Sequence, residues 1–144
     1  MVYLELLSIP PSANHAYFNL PRGGRALSKD GKQYKRDTVD YLTRNYRQEM
    51  MFFKKDIGYL LWVRFYFEKL ENKGWHQKPK KAKRRYKIID LGNRLKLFED
   101  SLKDATGIDD SEHMNIILQK KEGPPKTEVY IWRADEETPF DELL

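Results

Sequence analysis

Apolar positions change period several times along the chain, and each change marks an element. Val2 to Ile9 is an apolar run closed by Pro10-Pro11. Proline has no amide proton for a sheet ladder, so the run reads as a first strand with its end marked. Ser28-Lys29-Asp30-Gly31 opens a long helix, with Ser28 as its N-cap. Val39, Leu42, Tyr46, Met50 and Phe53 recur at helical spacing and predict its packing stripe, while Lys35, Arg36, Arg44 and Arg47 fall on the outer face. From Tyr59 to Phe67 the period drops to two. Leu61, Val63, Phe65 and Phe67 point one way, and Leu60, Trp62, Arg64 and Tyr66 the other. Both sets are largely apolar, which predicts a central strand. Tyr86 to Ile89 predicts a short strand, and Asn93 to Lys103 a second helix. On that helix Leu91, Leu95, Phe98 and Leu102 make the packing stripe; Asn93, Lys96 and Asp100 share the opposite, polar face, with Leu97 beside them. Met114 to Lys120 and Thr127 to Arg133 predict two last strands, joined by the turn Glu122-Gly123-Pro124-Pro125.

The pattern amounts to about five strands and two main helices, in the order strand, helix, strand, strand, helix, strand, strand. That order predicts an α/β fold of α+β-like character, a mixed sheet with helices packed on it. The 144 residues suit one domain, placed at residues 1–134. Residues 135–144 read as an acidic, mobile tail.

Composition changes the picture in two ways. The chain has no cysteine, which excludes disulfides and thiolate metal sites. Its net charge is +5, and the charge is clustered: Lys78, Lys80, Lys81, Lys83, Arg84 and Arg85 stand within eight residues, just before Tyr86. Such a run binds phosphates through counterion release and predicts a nucleic-acid partner first, an anionic membrane second. No stretch is long and apolar enough to span a bilayer, and a cytoplasmic protein is expected. Pro21-Arg22-Gly23-Gly24-Arg25 has two readings: a phosphate-approaching loop in which Arg22 and Arg25 bind, or an ordinary turn.

Candidate chemistry gathers after the basic run. Asp90 stands where the predicted strand meets the helix, as an N-cap, a Mg²⁺ ligand, or both at once. The helix dipole keeps its carboxylate ionised but disfavours a cation nearby, so further carboxylates must join it. Asp109 and Asp110 supply them if the segment beyond the helix folds back. Lys96 is either a solvated lysine or the cation that neutralises charge developing on a phosphate. Asn93 orients a water or caps the backbone. Asp100 holds Lys96 as an i,i+4 partner or adds a ligand. His15, His76 and His113 lack ligand spacing.

In these blocks the chain resembles the RusA family of Holliday-junction resolvases. Ile9-Pro10-Pro11-Ser12-Ala13-Asn14-His15 is similar to the family's opening segment, and Arg25 to Tyr34 to its hairpin-to-helix passage. Asp90-Leu91-Gly92-Asn93 with Lys96 resembles its central motif. Asp100 and Leu102 resemble its downstream Asp-x-Leu, and Asp109-Asp110 its second acidic pair. The resemblance runs to about Lys121. It implies a small homodimeric, Mg²⁺-dependent endonuclease, with Mn²⁺ as a substitute, that resolves four-way DNA junctions by paired symmetric cuts. Many members come from phages and prophages. Carried over, Asp90 and Asp110 are metal ligands and catalytic, and Lys96 is a catalytic lysine. Asp109, Asp100 and Glu99 are further candidate ligands. Read from the residues themselves, the basic run, Arg22, Arg25 and Asn14 are the expected DNA contacts, and the basic run is longer than the family's. Gly92 departs from the family, which carries an acid there. That departure supports a second reading, a DNA-binding module of the same fold with weak or no cleavage. A third reading is a regulatory or structural protein whose basic stretch meets protein or lipid.

Overall fold

The computed structural model describes residues 1–138 and 141. Its elements are β1 (Val2–Leu6), α1 (Ala13–Ala16), β2 (Tyr17–Asn19), β3 (Arg25–Leu27), α2 (Lys29–Asn45), α3 (Arg47–Met50), β4 (Tyr59–Phe67), α4 (Leu91–Thr106), a 3₁₀ turn (Asp110–Glu112), β5 (His113–Glu122) and β6 (Lys126–Arg133). Four strands form one mixed sheet in the order β1-β6-β4-β5; β2 and β3 form a separate hairpin. β4 is internal, antiparallel to β6 and parallel to β5, as its two apolar faces predict.

The core lies between one face of this sheet and the helices. Leu61, Val63 and Phe65 of β4 are fully buried, with Leu4, Val129 and Ile131 from the flanking strands. Phe98 and Leu102 bring α4 onto them, and Phe98 meets Phe65 edge-on with ring centroids 6.2 Å apart. Leu42 joins α2 to the same core. The other sheet face carries a run of rings, Tyr3 and Trp62 against Tyr130, with the Arg64 guanidinium 4.4 Å above Trp62.

Several expectations are corrected here. The first strand ends at Leu6, not Ile9. α2 stops at Asn45 because Tyr46 leaves helical angles (φ −128°, ψ 37°), so Met50 falls on a separate turn and Phe53 beyond it. The buried stripe of α2 is Gly31, Tyr34, Thr38 and Leu42; Val39 lies outside it. Gly31 belongs to that stripe for a steric reason: a Cβ there would stand 2.4 Å from the Ala16 carbonyl oxygen. Ser28 is the N-cap, accepting a hydrogen bond from the Gly31 amide at 3.1 Å.

Tyr86 to Ile89 is not a strand. Only Tyr86 makes a bridge, to Glu71, and Ile88 is 80% exposed. α4 begins at Leu91 and runs to Thr106, longer at both ends than the expected Asn93 to Lys103. Leu97 is fully buried against Ala16 and Tyr34, so the helix packs on two sides instead of presenting one continuous polar face. The turn after β5 does not make a hairpin. It straddles the end of β4, where the Gly123 amide donates to the Phe67 carbonyl at 2.9 Å.

Periodicity does not show the hairpin β2–β3, because three-residue strands are too short to carry a period; only the resemblance implies a hairpin leading into the helix at Arg25 to Tyr34. At the acidic end, Glu136 accepts from the Arg133 amide at 2.9 Å and from the Met1 amino group at 3.2 Å. Residues 139, 140 and 142–144, on which the rest of the tail expectation falls, lie outside the described residues.

Candidate nucleic-acid interface and metal site

The basic run is a folded loop. Asn72 organises it from behind, donating through its side chain to the carbonyls of Arg84 at 2.9 Å and Tyr86 at 3.1 Å. Its backbone amide donates to the Arg85 carbonyl at 2.7 Å. Glu71 is paired with His76 and, at 3.3 Å, with Arg85. His76 first and Arg85 second hold the Glu71 carboxyl below its ordinary range. Lys80 lies 3.8 Å over the Trp75 ring. The closure leaves Lys78, Lys80, Lys81, Lys83 and Arg84 exposed, and Lys73, Lys83, Arg84 and Lys87 line an open cavity of about 470 Å³. Fixed cations at the rim of an open trough suit a phosphate chain.

This loop runs directly into Asp90. Asp90 caps α4, its Oδ1 accepting from the Asn93 amide at 3.3 Å, so the capping reading holds. The carboxylate is exposed. Lys120 anchors the approach by donating to the Ile89 carbonyl at 3.2 Å. Asn93 is half-buried, and among the described residues its side chain has no hydrogen-bond partner. Gly92 is exposed; a Cβ added there would meet only Asp90 Oδ1, at 3.3 Å.

Further along α4, Lys96 and Asp100 do not pair with each other. Asp100 accepts from the Tyr17 hydroxyl at 2.6 Å, and Lys96 Nζ stands 5.7 Å from the centre of the Tyr17 ring. Burial, and then the bond to Asp100, push the Tyr17 hydroxyl above its ordinary range. Arg94 donates to the Pro10 carbonyl at 2.7 Å and lies over Phe67. Tyr17, Arg94 and Asn72 carry no sequence signal, because their partners lie 12 to 84 residues away.

The remaining candidate carboxylates sit at the other end of the helix. Asp109 caps the 3₁₀ turn through the Ser111 amide and pairs with Lys103 at 2.5 Å. Lys103 foremost, then Ser111, holds Asp109 far below the carboxylate range. Glu99 is taken by His113, whose Nδ1 lies 2.5 Å from it in a nearly buried pair. Asp110 is exposed and has no hydrogen bond or ion pair through its side chain among the described residues. Asp90 and Asp110 bracket the sixteen residues of α4, a helix about 24 Å long. β5 gives the same answer: His113 lies beside Asp110 and Lys120 beside Ile89, about 23 Å apart along a strand. The segment after α4 therefore does not fold back to Asp90. Among the described residues no three acidic or histidine side chains gather in one place to hold a metal ion.

Asn14 and Arg25 meet in the hairpin region, where β2 and β3 hold the tip Arg22-Gly23-Gly24. Gly23 and Gly24 have φ of 94° and 83°, which the tight tip demands. No helix among the described residues is long and apolar enough to cross a membrane.

A mixed sheet with helices on one face makes this an α+β domain, and its cationic loop ends on a capped carboxylate. The chain belongs to the RusA endodeoxyribonuclease family, whose family model matches residues 8–132. The family consists of endodeoxyribonucleases that act on DNA recombination intermediates, the crossover-junction or Holliday-junction resolvases, and depends on divalent metal. No curated protein matches the chain.

Proposed function

We propose that this chain is a Mg²⁺-dependent endonuclease that cuts four-way DNA junctions, working as a homodimer in the cytoplasm of a bacterial or phage-infected cell. One observation carries the reading. In a chain of this family, a folded cationic loop delivers its last residues onto an exposed carboxylate at a helix N-terminus, with Lys96 on the same helix. Lys78, Lys80, Lys81, Lys83, Arg84 and Arg85 grip the sugar-phosphate chain, and Arg22 and Arg25 add a second hold at the hairpin.

Carboxylate oxygens are the right donors for a hard cation. Within one chain, however, Asp90 stands apart from Asp109 and Asp110. A complete set is therefore assigned to two chains: Asp90 from one, Asp110 from a second copy, related by a two-fold axis. When bound, the cation supplies Lewis acidity and an activated water. The chain's own residues do the rest. Asp90, held at the helix N-terminus by its capping bond, would be a donor to that cation. Lys96, exposed beside the Tyr17 ring, offers its ammonium to charge developing on the phosphate. Asn93 orients a water with its free amide.

The test is a labelled four-way junction with Mg²⁺. Paired, symmetric cuts are expected from the wild-type chain. Asp90→Asn keeps the cap, since asparagine caps as well as aspartate, and is expected to keep junction affinity while cleavage falls by about 100-fold or more. Equal cleavage by this variant would end the assignment.

Gly92 favours a second reading, a junction-binding chain that cuts poorly, because only one carboxylate stands at that end of α4. Tight binding without cleavage by the wild-type chain, in either Mg²⁺ or Mn²⁺, supports it.

A further inference from the structure

A small notch of about 160 Å³ opens where α1 meets the hairpin, lined by Ala13, Asn14, Tyr17, Phe18, Asn19 and Arg25. Its contents are unusual for a surface dimple. The side-chain amides of Asn14 and Asn19 and the guanidinium of Arg25 make no hydrogen bond or ion pair among the described residues. Phe18 is 50% exposed, an apolar ring left in water beside them. Tyr17 forms the inner wall, and its hydroxyl is tied to Asp100 while Lys96 stands over its ring. The notch therefore flanks the same stretch of α4 that carries Lys96.

We propose that this notch holds a single unstacked nucleobase of a DNA strand at the branch point, an inference that rests on the junction-binding reading above. Two amides offer paired donors and acceptors to a base edge, as carboxamides do to adenine. Phe18 gives the base a face to stack on. Arg25 at the rim takes the flanking phosphate, which ties the site to a strand. Bases at a branch point are the cheapest to take out of the stack, because their pairing is already disturbed. The notch then acts as the part of the molecule that distinguishes a junction from a continuous duplex, a discrimination the cationic loop cannot make.

The experiment uses the full chain and a four-way junction with 2-aminopurine at the branch point, beside a duplex of the same sequence. Wild-type binding is expected to raise the fluorescence of the junction probe several-fold and leave the duplex probe unchanged. Phe18→Ala, a half-exposed position that a folded chain tolerates, is expected to abolish that rise. It should also weaken junction affinity by roughly 5- to 100-fold, with duplex affinity unchanged. The double variant Asn14→Ala/Asn19→Ala should flatten the dependence of affinity on which base occupies the branch. Unchanged fluorescence on tight wild-type binding, or an equal loss of junction and duplex affinity in Phe18→Ala, overturns the notch and spares the nuclease reading. Failure of the wild-type chain to prefer a junction over duplex overturns both.

Discussion

Asp90 caps α4, and the proposed mechanism asks the same side chain to meet the cation, so the residue two places on bears on that proposal. Glycine at 92 leaves the first turn of α4 with no acid, the N-cap Asp90 standing just before it. Its neighbourhood is open except for Asp90 Oδ1 at 3.3 Å, the movable end of a side chain. Gly92→Asp is therefore expected to fold. It should gain about 0.5 kcal/mol from helix propensity and from an acid in the first turn, and it should lower the Mg²⁺ concentration needed for half-maximal cleavage. A metal titration of the cutting rate reads this directly; an unmoved midpoint would show that Gly92 is not where the family's second ligand is missed. At the far end of the helix, Asp109 is engaged by Lys103, and this fixes a pH dependence. A carboxyl lowered in the folded state contributes stability that is complete above its unfolded value, about 4, and fades as pH falls toward the folded value. Lys103, raised by the same partner, loses its share above the ordinary lysine range. Lys103→Met should thus differ from wild type in denaturant midpoint at pH 7, and the two curves should converge as the solution is acidified below about 4. The acids are legible along the chain but their partners are not, since Lys103 and Ser111 look like any surface residues.

At the scale of elements, α4 matters most, because it is packed on two sides. Phe98 and Leu102 face the sheet, while Leu97 closes against Ala16 and Tyr34. Leu97→Ala should cost about 2–5 kcal/mol, measured by chemical denaturation. It should also loosen the Tyr17–Asp100 bond one turn away. A cost below about 1 kcal/mol would mean that the α1–α2 layer is not anchored through this side chain. Periodicity makes this helix legible, together with β4 and the caps at Ser28 and Asp90. It misplaces Leu97, because a single stripe cannot describe a helix that has two neighbours. Tyr86 to Ile89 misleads for another reason: an apolar run whose only pairing is one bridge, Tyr86 to Glu71, stays a loop. Arg94 and Asn72 are silent in the sequence, being set by contacts between separated segments, and the hairpin β2–β3 is implied only by the family resemblance.

At the scale of the molecule, the sheet order explains why the candidate carboxylates lie far apart within one chain. β5 lies parallel to β4, so the chain must travel the length of the sheet between them, and α4 is part of that return. The journey from Asp90 to Asp110 covers one full helix and ends at the opposite edge of the fold. That span has a consequence for enzymology. If two molecules must each lend half of a cation's donors, cutting per chain is not a constant. It should fall steeply on dilution below the dimer dissociation constant. It should recover when Asp90→Asn chains are mixed with Asp110→Asn chains, since every mixed pair regains one intact centre. Stopped-time assays across a roughly hundredfold range of protein, with and without such mixing, would read it. Activity strictly proportional to concentration, with no rescue between the two crippled forms, would place all the donors on a single polypeptide.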